Sequence, residues 1–193
     1  MGRVVVLGIA GGGKSTLCRR ISSALGLPLH QMDKIGWLPG WRLAENAQVN
    51  QEHDQILPSA RWIIDGFGSR ESMERRCDDA DTLILIDQPA WRHYWWAYKR
   101  NIKLLFQDNP DLPKGCSKWR LWKSMFGGIR QQRRSELSHL RKLLADRPHK
   151  AQFVLRSPRE IEAFCRQHLS AGGLSARPEE DPLRRRWRCH GRW

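Results

Sequence analysis

The apolar residues of this chain form short runs that alternate with longer amphipathic segments. Consecutive β-branched or aliphatic residues predict buried strands, whereas apolar residues three and four positions apart predict helices. The predicted strands are Val4–Leu7, Leu27–Met32, Arg61–Ile64, Thr82–Ile86 and Gln152–Arg156. The predicted helices are Lys14–Leu25, Ala44–Leu57, Ser69–Arg76, Ala90–Phe106, Trp119–Ala145 and Pro158–Leu169. Because strands and helices alternate, the pattern indicates a three-layer α/β fold around a five-stranded parallel sheet.

The first predicted strand leads into Gly8-Ile9-Ala10-Gly11-Gly12-Gly13-Lys14-Ser15, which fits G-x-x-x-x-G-K-[ST] and is called the phosphate loop below. Glycines let successive N–H groups approach a polyphosphate, and the following helix adds the positive end of its dipole. Lys14 can reach the β- and γ-phosphates, Ser15 is placed to ligate Mg²⁺, and Thr16 ends the binding segment. A glycine-rich turn before a helix also occurs without a ligand, but the strand before it and the amphipathic helix after it favour nucleotide binding.

Three aspartates stand where predicted strands end, namely Asp33, Asp65 and Asp87. Ligands of parallel sheets bind outside the carboxyl ends of the strands, so all three are candidates for one site. Aspartate also favours turns and helix N-caps, which leaves each of them a structural alternative. For Asp87, in Asp-Gln-Pro, we expect the turn.

Size and cysteine content limit the class of protein. The 193 residues are enough for one α/β domain, and no apolar run approaches the roughly 20 residues that span a bilayer. The five cysteines include no C-x-x-C pair, which indicates reduced thiols rather than a disulfide framework or a zinc site. Without a signal-peptide pattern at the N-terminus, we expect a cytoplasmic location and no membrane partner.

The net charge of +14 favours an anionic partner, such as a nucleotide or a nucleic acid. Many of the ten tryptophans lie among Arg and Lys, which is typical of base stacking and also of packed helices. From Gly172 the chain is rich in Gly, Pro and charge, and it predicts a disordered basic tail over 172–193 after a domain of residues 1–171. Nucleic-acid binding through the basic segment 91–134 and this tail therefore stays open.

The order of these pieces resembles the adenylate-kinase-like branch of P-loop kinases, and most closely the bacterial topology modulation proteins and related ATPases. The matching segments are Gly8–Thr16, Met32-Asp33 with Trp37–Trp41, Trp62–Gly66 and Leu85–Pro89. Together they span about residues 1–170. The resemblance implies a P-loop NTPase fold with a helical lid insertion at about 91–134, and it implies binding of ATP and Mg²⁺.

The resemblance also implies roles for single residues. Asp65, before Gly66, would hold Mg²⁺ directly or through water. Asp33 stands where kinases that phosphorylate a hydroxyl often place a carboxylate, so it would act on the acceptor. Arg100 matches a lid arginine that stabilises the transferred phosphoryl group, and Arg156 matches a loop that contacts the adenine.

The chain departs from the family pattern at two places. Phe67-Gly68 stands where Asn-Tyr is usual, and Trp96 stands where a second lid arginine is usual. Further candidate arginines are Arg130, Arg133 and Arg134 for the lid, and Arg75 or Arg76 for the acceptor.

The expected function is transfer of the γ-phosphate of Mg·ATP to a nucleotide or a small hydroxyl-bearing acceptor. The alternatives are an ATP-dependent nucleic-acid-binding protein that modulates DNA topology and an ATPase without an acceptor. The identity of the acceptor does not follow from the sequence.

Overall fold

The computed structural model describes residues 1–38, 42–66, 68–106 and 129–169. The strands are β1 (Arg3–Gly8), β2 (Leu29–Gln31), β3 (Trp37–Leu38), β4 (Arg42–Leu43), β5 (Trp62–Asp65), β6 (Thr82–Ile86) and β7 (Ala151–Leu155). The helices are α1 (Lys14–Leu25), α2 (Met32–Gly36), α3 (Asn46–Ile56), α4 (Arg70–Asp79), α5 (Ala90–Phe106), α6 (described over 129–135), α7 (Leu137–Ala145) and α8 (Pro158–Leu169). The predicted alternation of strands and helices is thus confirmed.

Five strands form one parallel sheet in the order β2-β5-β1-β6-β7. The central strand β1 pairs with β5 and β6, which sets Val6 beside Asp65 and Gly8 beside Ile86. The side chains of β1 are buried from Val4 to Leu7 because helices cover both faces of the sheet. This pairing brings the carboxyl ends of β5, β1 and β6 to one edge, and the phosphate loop begins there.

Alternation along β1 divides the core into two apolar layers. Val5 and Leu7 pack in a cluster with residues of α3, α4 and α7. Val4 and Val6 point the other way, into a cluster with residues of α1 and α8. The fold therefore has the three layers that the sequence predicts.

A third, smaller cluster lies under the phosphate loop. It joins Ile9 of the loop to Ala97 of α5 and Ile129 of α6. These two helices are the described part of the region predicted as a lid, and their bases are fixed to the loop by this apolar contact.

Several boundaries differ from the predictions. β2 ends at Gln31, so Asp33 lies in the first turn of α2, two residues beyond the strand rather than at its end. The reason is that β2 pairs only with β5, and only through Leu29–Gln31, so the backbone turns once that pairing stops. Trp37-Leu38 and Arg42-Leu43, which were not among the predicted strands, pair as the short antiparallel strands β3 and β4.

The helix predicted over Trp119–Ala145 is divided by a turn at Glu136 into α6 and α7 within its described part. The Glu136 N–H still donates to the Gln132 carbonyl, so the two helices follow each other closely. Residues 107–118, between the predicted helices Ala90–Phe106 and Trp119–Ala145, and the predicted tail 172–193 lie outside the described residues, and the domain boundary at 171 stays a prediction. No described helix is long and apolar enough to cross a bilayer.

Candidate nucleotide-binding site

The phosphate loop turns through residues with left-handed backbone conformation. Gly11 and Gly13 have φ values of 75° and 88°, and Gly13 is the N-cap residue of α1. Lys14 starts α1 and is nearly buried, and its Nζ donates to the Ile9 carbonyl at 3.1 Å. The ammonium group and the positive end of α1 therefore lie at the same loop, which is the arrangement that binds anions at helix N-termini.

Helix α5 packs directly against the three consecutive glycines of the loop. A Cβ atom on Gly11 would lie 2.7 Å from the His93 carbonyl oxygen, and one on Gly12 would lie 3.0 Å from His93 Cε1. A Cβ atom on Gly13 would lie 3.0 Å from Trp96 Cζ3. Side chains at these positions would push the loop away from α5, so the glycines permit the close contact as well as the turn.

Polar groups behind the loop also hold its backbone. The Ala10 carbonyl lies 3.0 Å from Nδ1 of His93, and the Ala10 N–H donates to Oε1 of Gln132 at 3.1 Å. Nε2 of Gln88 lies 3.5 Å from the Gly12 carbonyl, at the limit of a hydrogen bond. The sequence motif does not include His93, Gln88 or Gln132. These residues are distant from the loop in sequence and contact it because the fold packs their segments against it.

Asp65 ends β5 beside the loop-bearing strand and is 2% exposed. Its carboxylate and Lys14 both act on the thiol of Cys18. Burial raises the pKa of that thiol most, Asp65 raises it further, and Lys14 lowers it. Cys18 is on the buried face of α1, which Lys14 begins, and Asp65 ends the strand that pairs with β1, so the two predicted residues lie at the same edge of the sheet.

The donor set at this edge fits Mg²⁺. Ser15, half-buried in the first turn of α1, supplies a hydroxyl, and Asp65 supplies a carboxylate, both hard oxygen donors. No group of three metal-ligating side chains occurs among the described residues. A Mg²⁺ ion does not require such a group, because it usually takes one or two ligands from the protein and the others from phosphates and water.

Asp33 and Arg100 are placed by their backbones alone. Asp33 is the second residue of α2, close to the end of β2 at the same edge of the sheet. Arg100 lies one helical turn beyond Trp96 on α5, the helix that contacts the loop. The side-chain positions of both residues lie outside the described part of the structure, and their roles stay predictions.

Arg156 follows β7 and is exposed. Its N–H donates to Oε2 of Glu160 at 2.8 Å, and Oγ of Ser157 accepts from the Glu160 N–H at 3.2 Å. This arrangement resembles a capping box at the start of α8, with the Arg156 N–H in place of the Ser157 N–H, so hydrogen bonds within the protein hold this segment. Contact of Arg156 with adenine stays a prediction.

Asp87 has a structural partner. Nε and Nη2 of Arg141 donate to Oδ2 of Asp87 at 3.1 and 2.7 Å, and the carboxylate is almost buried. The pair ties the end of β6 to α7. This contact agrees with the structural role expected for Asp87.

The two candidate acceptor arginines occupy different environments. Arg76 is fully buried, and its Nη2 donates to the Gly66 carbonyl at 2.6 Å. Arg75 is exposed and pairs with Asp54 at 2.8 Å. Only Arg76 therefore contacts the turn that follows Asp65.

The lid arginines divide in a similar way. Arg133 donates from Nη1 to the Gln88 carbonyl at 2.9 Å, which fixes α6 to the end of β6. Arg130 and Arg134 are exposed one turn apart and line a cavity of about 450 Å³. Arg130 and Arg134 are thus open to solvent, whereas Arg133 is bonded to the backbone after β6, and a lid role for any of the three stays a prediction.

Comparison with solved structures identifies the architecture. The chain is similar to shikimate kinase from Acinetobacter baumannii in complex with shikimate, with a TM-score of 0.50 and 14% identity over 88% of this chain and 94% of that chain. The chain shares the fold of that kinase. A match at this identity concerns the fold alone, and the expected P-loop NTPase fold is confirmed.

Two further kinases are similar at lower scores. A sugar kinase from Janibacter sp. HTCC2649 has a TM-score of 0.49 and 17% identity, and covers 84% of this chain and 91% of its own. A gluconokinase from Sinorhizobium meliloti 1021 has a TM-score of 0.46 and 15% identity, and covers 88% of this chain and 94% of its own. No protein-family model matches the chain, and no curated protein sequence matches it either.

Proposed function

We propose that this protein is a kinase that transfers the γ-phosphate of ATP to a nucleotide or a small hydroxyl-bearing acceptor. The observation that carries the proposal is the phosphate loop itself, with Lys14 and Asp65 at the carboxyl edge of the sheet. Phosphoryl transfer depends mainly on positioning and charge neutralisation, and this edge offers both.

The donor half of the site follows from the loop. Backbone N–H groups and Lys14 would bind the β- and γ-phosphates, while Ser15 and Asp65 would hold Mg²⁺. The cation would supply neutralisation of the charge that the phosphates carry. Arg100, on the helix that contacts the loop, would stabilise the negative charge of the phosphoryl group during transfer.

The acceptor half would lie beyond β2 and β5. Asp33 would accept the proton of the attacking hydroxyl, a step that transfer to a phosphate oxygen does not need. Arg76 holds the turn after Asp65 and would help shape the acceptor side. The name of the similar shikimate kinase supports small hydroxyl-bearing acids as members of the acceptor panel.

Transfer from γ-labelled ATP to a panel of nucleosides, nucleoside monophosphates, small alcohols and hydroxy acids tests the proposal. We expect one acceptor class to become labelled, Lys14→Met to abolish the label, and the exposed control Lys142→Met to retain it. Hydrolysis of ATP with no labelled acceptor favours the ATPase alternative. A protein that binds no ATP contradicts the proposal.

The same proposal includes the extent of the kinase domain and its location in the cell. Residues 1–171 would form one kinase domain, with the tail 172–193 outside it. Cys18, Cys77 and Cys165 are free thiols, and burial raises the pKa of all three, that of Cys77 to about 11. Reduced thiols and ATP coexist in the cytoplasm, which is where we place the protein.

One observation favours single-stranded nucleic acid as a second partner. On α5, Trp91, Trp95 and Tyr98 are exposed, and Trp95 and Tyr98 are stacked with ring centroids 6.1 Å apart. Arg92 and Lys99 lie over the rings of Trp91 and Trp95, at 4.8 and 4.7 Å. Since α5 contains no acidic residue, this face combines stacking surfaces with positive charge. The resemblance to topology modulation proteins belongs to the same alternative.

Binding of labelled single-stranded DNA, measured against salt concentration, tests this partner. Affinity that falls steeply with salt, survives deletion of 172–193 and is weakened by Trp95→Ala but not by Trp95→Tyr supports the α5 face. Affinity that disappears with the tail assigns binding to the tail instead.

A further inference from the structure

His93 is buried against the outside of the phosphate loop and belongs to no recognised motif. It lies in the first turn of α5, is 1% exposed, and has its Nδ1 3.0 Å from the Ala10 carbonyl oxygen. A carbonyl oxygen only accepts hydrogen bonds, so the two atoms are joined by a hydrogen bond in the tautomer that carries its hydrogen on Nδ1.

That hydrogen bond determines where the next amide points. The peptide between Ala10 and Gly11 is planar and trans, because the chain contains no cis peptide bond among its described residues. Its carbonyl and its N–H therefore point in opposite directions. With the Ala10 carbonyl turned out toward His93, the Gly11 N–H is turned inward, to the side away from α5.

The contact is tight enough to hold this orientation. The His93 backbone oxygen lies only 2.7 Å from where a Gly11 Cβ would be, and His93 Cε1 lies 3.0 Å from the corresponding point on Gly12. Gln132 binds the Ala10 N–H from α6 at 3.1 Å. Both polar groups of Ala10 are thus engaged from outside the loop.

The surroundings favour a neutral imidazole. Burial lowers the pKa of His93 most, and the charges of Lys14 from α1 and Arg133 from α6 lower it further. Hydrogen bonds to the backbone of Ala10 and Gln88 act in the opposite direction without reversing the shift. A neutral ring has a single N–H, and with that hydrogen on Nδ1 it donates to Ala10 rather than to Gln88, without adding charge behind the loop.

We propose that His93 is a positioning residue for the donor phosphates: its Nδ1–H holds the Ala10 carbonyl outward and thereby aims the Gly11 N–H at the bound phosphates. The role rests on the proposed function, because it requires ATP in the loop. His93 itself touches no phosphate and acts through the backbone of residues 10 and 11.

Three substitutions separate positioning from packing. His93→Asn sets an amide nitrogen where Nδ1 stands, His93→Gln sets it nearer the place of Nε2, and His93→Leu fills the space without a donor. In the full-length protein, we expect His93→Asn to bind Mg·ATP within about threefold of wild type, and the other two at least about tenfold more weakly, the effect of one lost hydrogen bond. Calorimetry gives the dissociation constants, and thermal melts show whether each variant is folded.

A second measurement does not depend on ATP. Nitrogen-15 NMR of the wild-type imidazole reports which ring nitrogen carries the hydrogen, and we expect Nδ1–H for His93 near neutral pH.

The control for the ATP titrations is His53→Asn on α3. This variant removes another fully buried imidazole and is expected to leave the ATP dissociation constant unchanged.

The outcomes distinguish the two proposals. A wild-type protein that binds ATP, with His93→Gln binding as well as His93→Asn, overturns the positioning role and leaves the kinase proposal standing. A hydrogen on Nε2 alone overturns it too, even if His93→Leu fails to fold. A wild-type protein that binds no ATP overturns the proposed function and, with it, this role.

Discussion

Arg76 donates from Nη2 to the carbonyl oxygen of Gly66 at 2.6 Å, and no part of Arg76 is exposed to solvent. The bond joins α4 to the turn that follows Asp65, the expected magnesium ligand. A buried guanidinium bound to a backbone carbonyl is costly to remove, since the carbonyl would lose its donor inside the protein. The neighbouring Arg75 provides a comparison, because its partner Asp54 lies at the surface.

We expect Arg76→Met to lower the free energy of unfolding by about 2–4 kcal/mol through the unsatisfied carbonyl and the lost packing. Arg75→Met removes only an exposed ion pair and should cost less than about 1 kcal/mol. Urea unfolding of both variants measures the difference. Equal losses would show that the Gly66 contact contributes nothing beyond a surface charge.

Asp65→Asn should remove the dependence of ATP binding on magnesium. The amide keeps the shape of the side chain but lacks the charge that attracts the cation. We expect Mg·ATP to bind at least about tenfold more weakly, and ATP without magnesium to bind nearly as in wild type. Calorimetry with and without Mg²⁺ gives both constants.

The matched control is Asp87→Asn, which breaks the bond to Arg141 at the end of β6. It should lower stability while leaving the magnesium dependence in place. If Asp87→Asn loses that dependence and Asp65→Asn keeps it, the two aspartates have been assigned the wrong way round.

Asp33→Asn should abolish transfer to a hydroxyl acceptor while leaving ATP affinity nearly intact. The acceptor proton needs a base, whereas the donor phosphates are held elsewhere on the loop. The acceptor assay and ATP titration together check this. Normal transfer by the variant would remove Asp33 from the role of base.

Glu160 should make the start of α8 sensitive to acid. Hydrogen bonds from the Arg156 N–H and the Ser157 hydroxyl lower the pKa of its carboxyl. The folded pKa then lies below the unfolded one, so the stabilisation is present above the unfolded value and is lost as pH falls through the folded value. The stability difference between wild type and Glu160→Gln should therefore shrink between about pH 7 and about pH 3. A difference that stays constant would separate the capping box from the ionisation of Glu160.

Local patterns predicted much of this structure because the relevant residues are adjacent in sequence. The phosphate loop is one contiguous segment, and the strands β1, β5 and β6 are short apolar runs that any covered parallel sheet requires. Asp65 could be found because it follows such a run. The end of β2, before Asp33, was predicted one residue too late, since the length of an edge strand depends on its pairing with β5.

The contacts behind the loop could not be predicted in this way. His93 and Gln132 lie 83 and 122 residues from Ala10 in sequence and belong to helices with no motif at those positions. A single polar residue on an amphipathic helix produces no periodic signal in the sequence. The contacts of these residues with the loop can be recognised only from the packing of α5 and α6 in the structure. The same holds for Arg76, whose sequence neighbour Arg75 looks equivalent and is exposed.

The central position of β1 has a consequence for how the chain folds. Val4 pairs with Ile63 on one side and with Thr82 on the other, so the first strand gains a partner only when β5 has been synthesised, and its second partner only when β6 follows. Such distant pairings slow folding and leave an apolar strand open to other contacts in the meantime. During synthesis on the ribosome, we therefore expect β1 to remain partly unpaired, and the phosphate loop to take its final shape only after β6 has emerged.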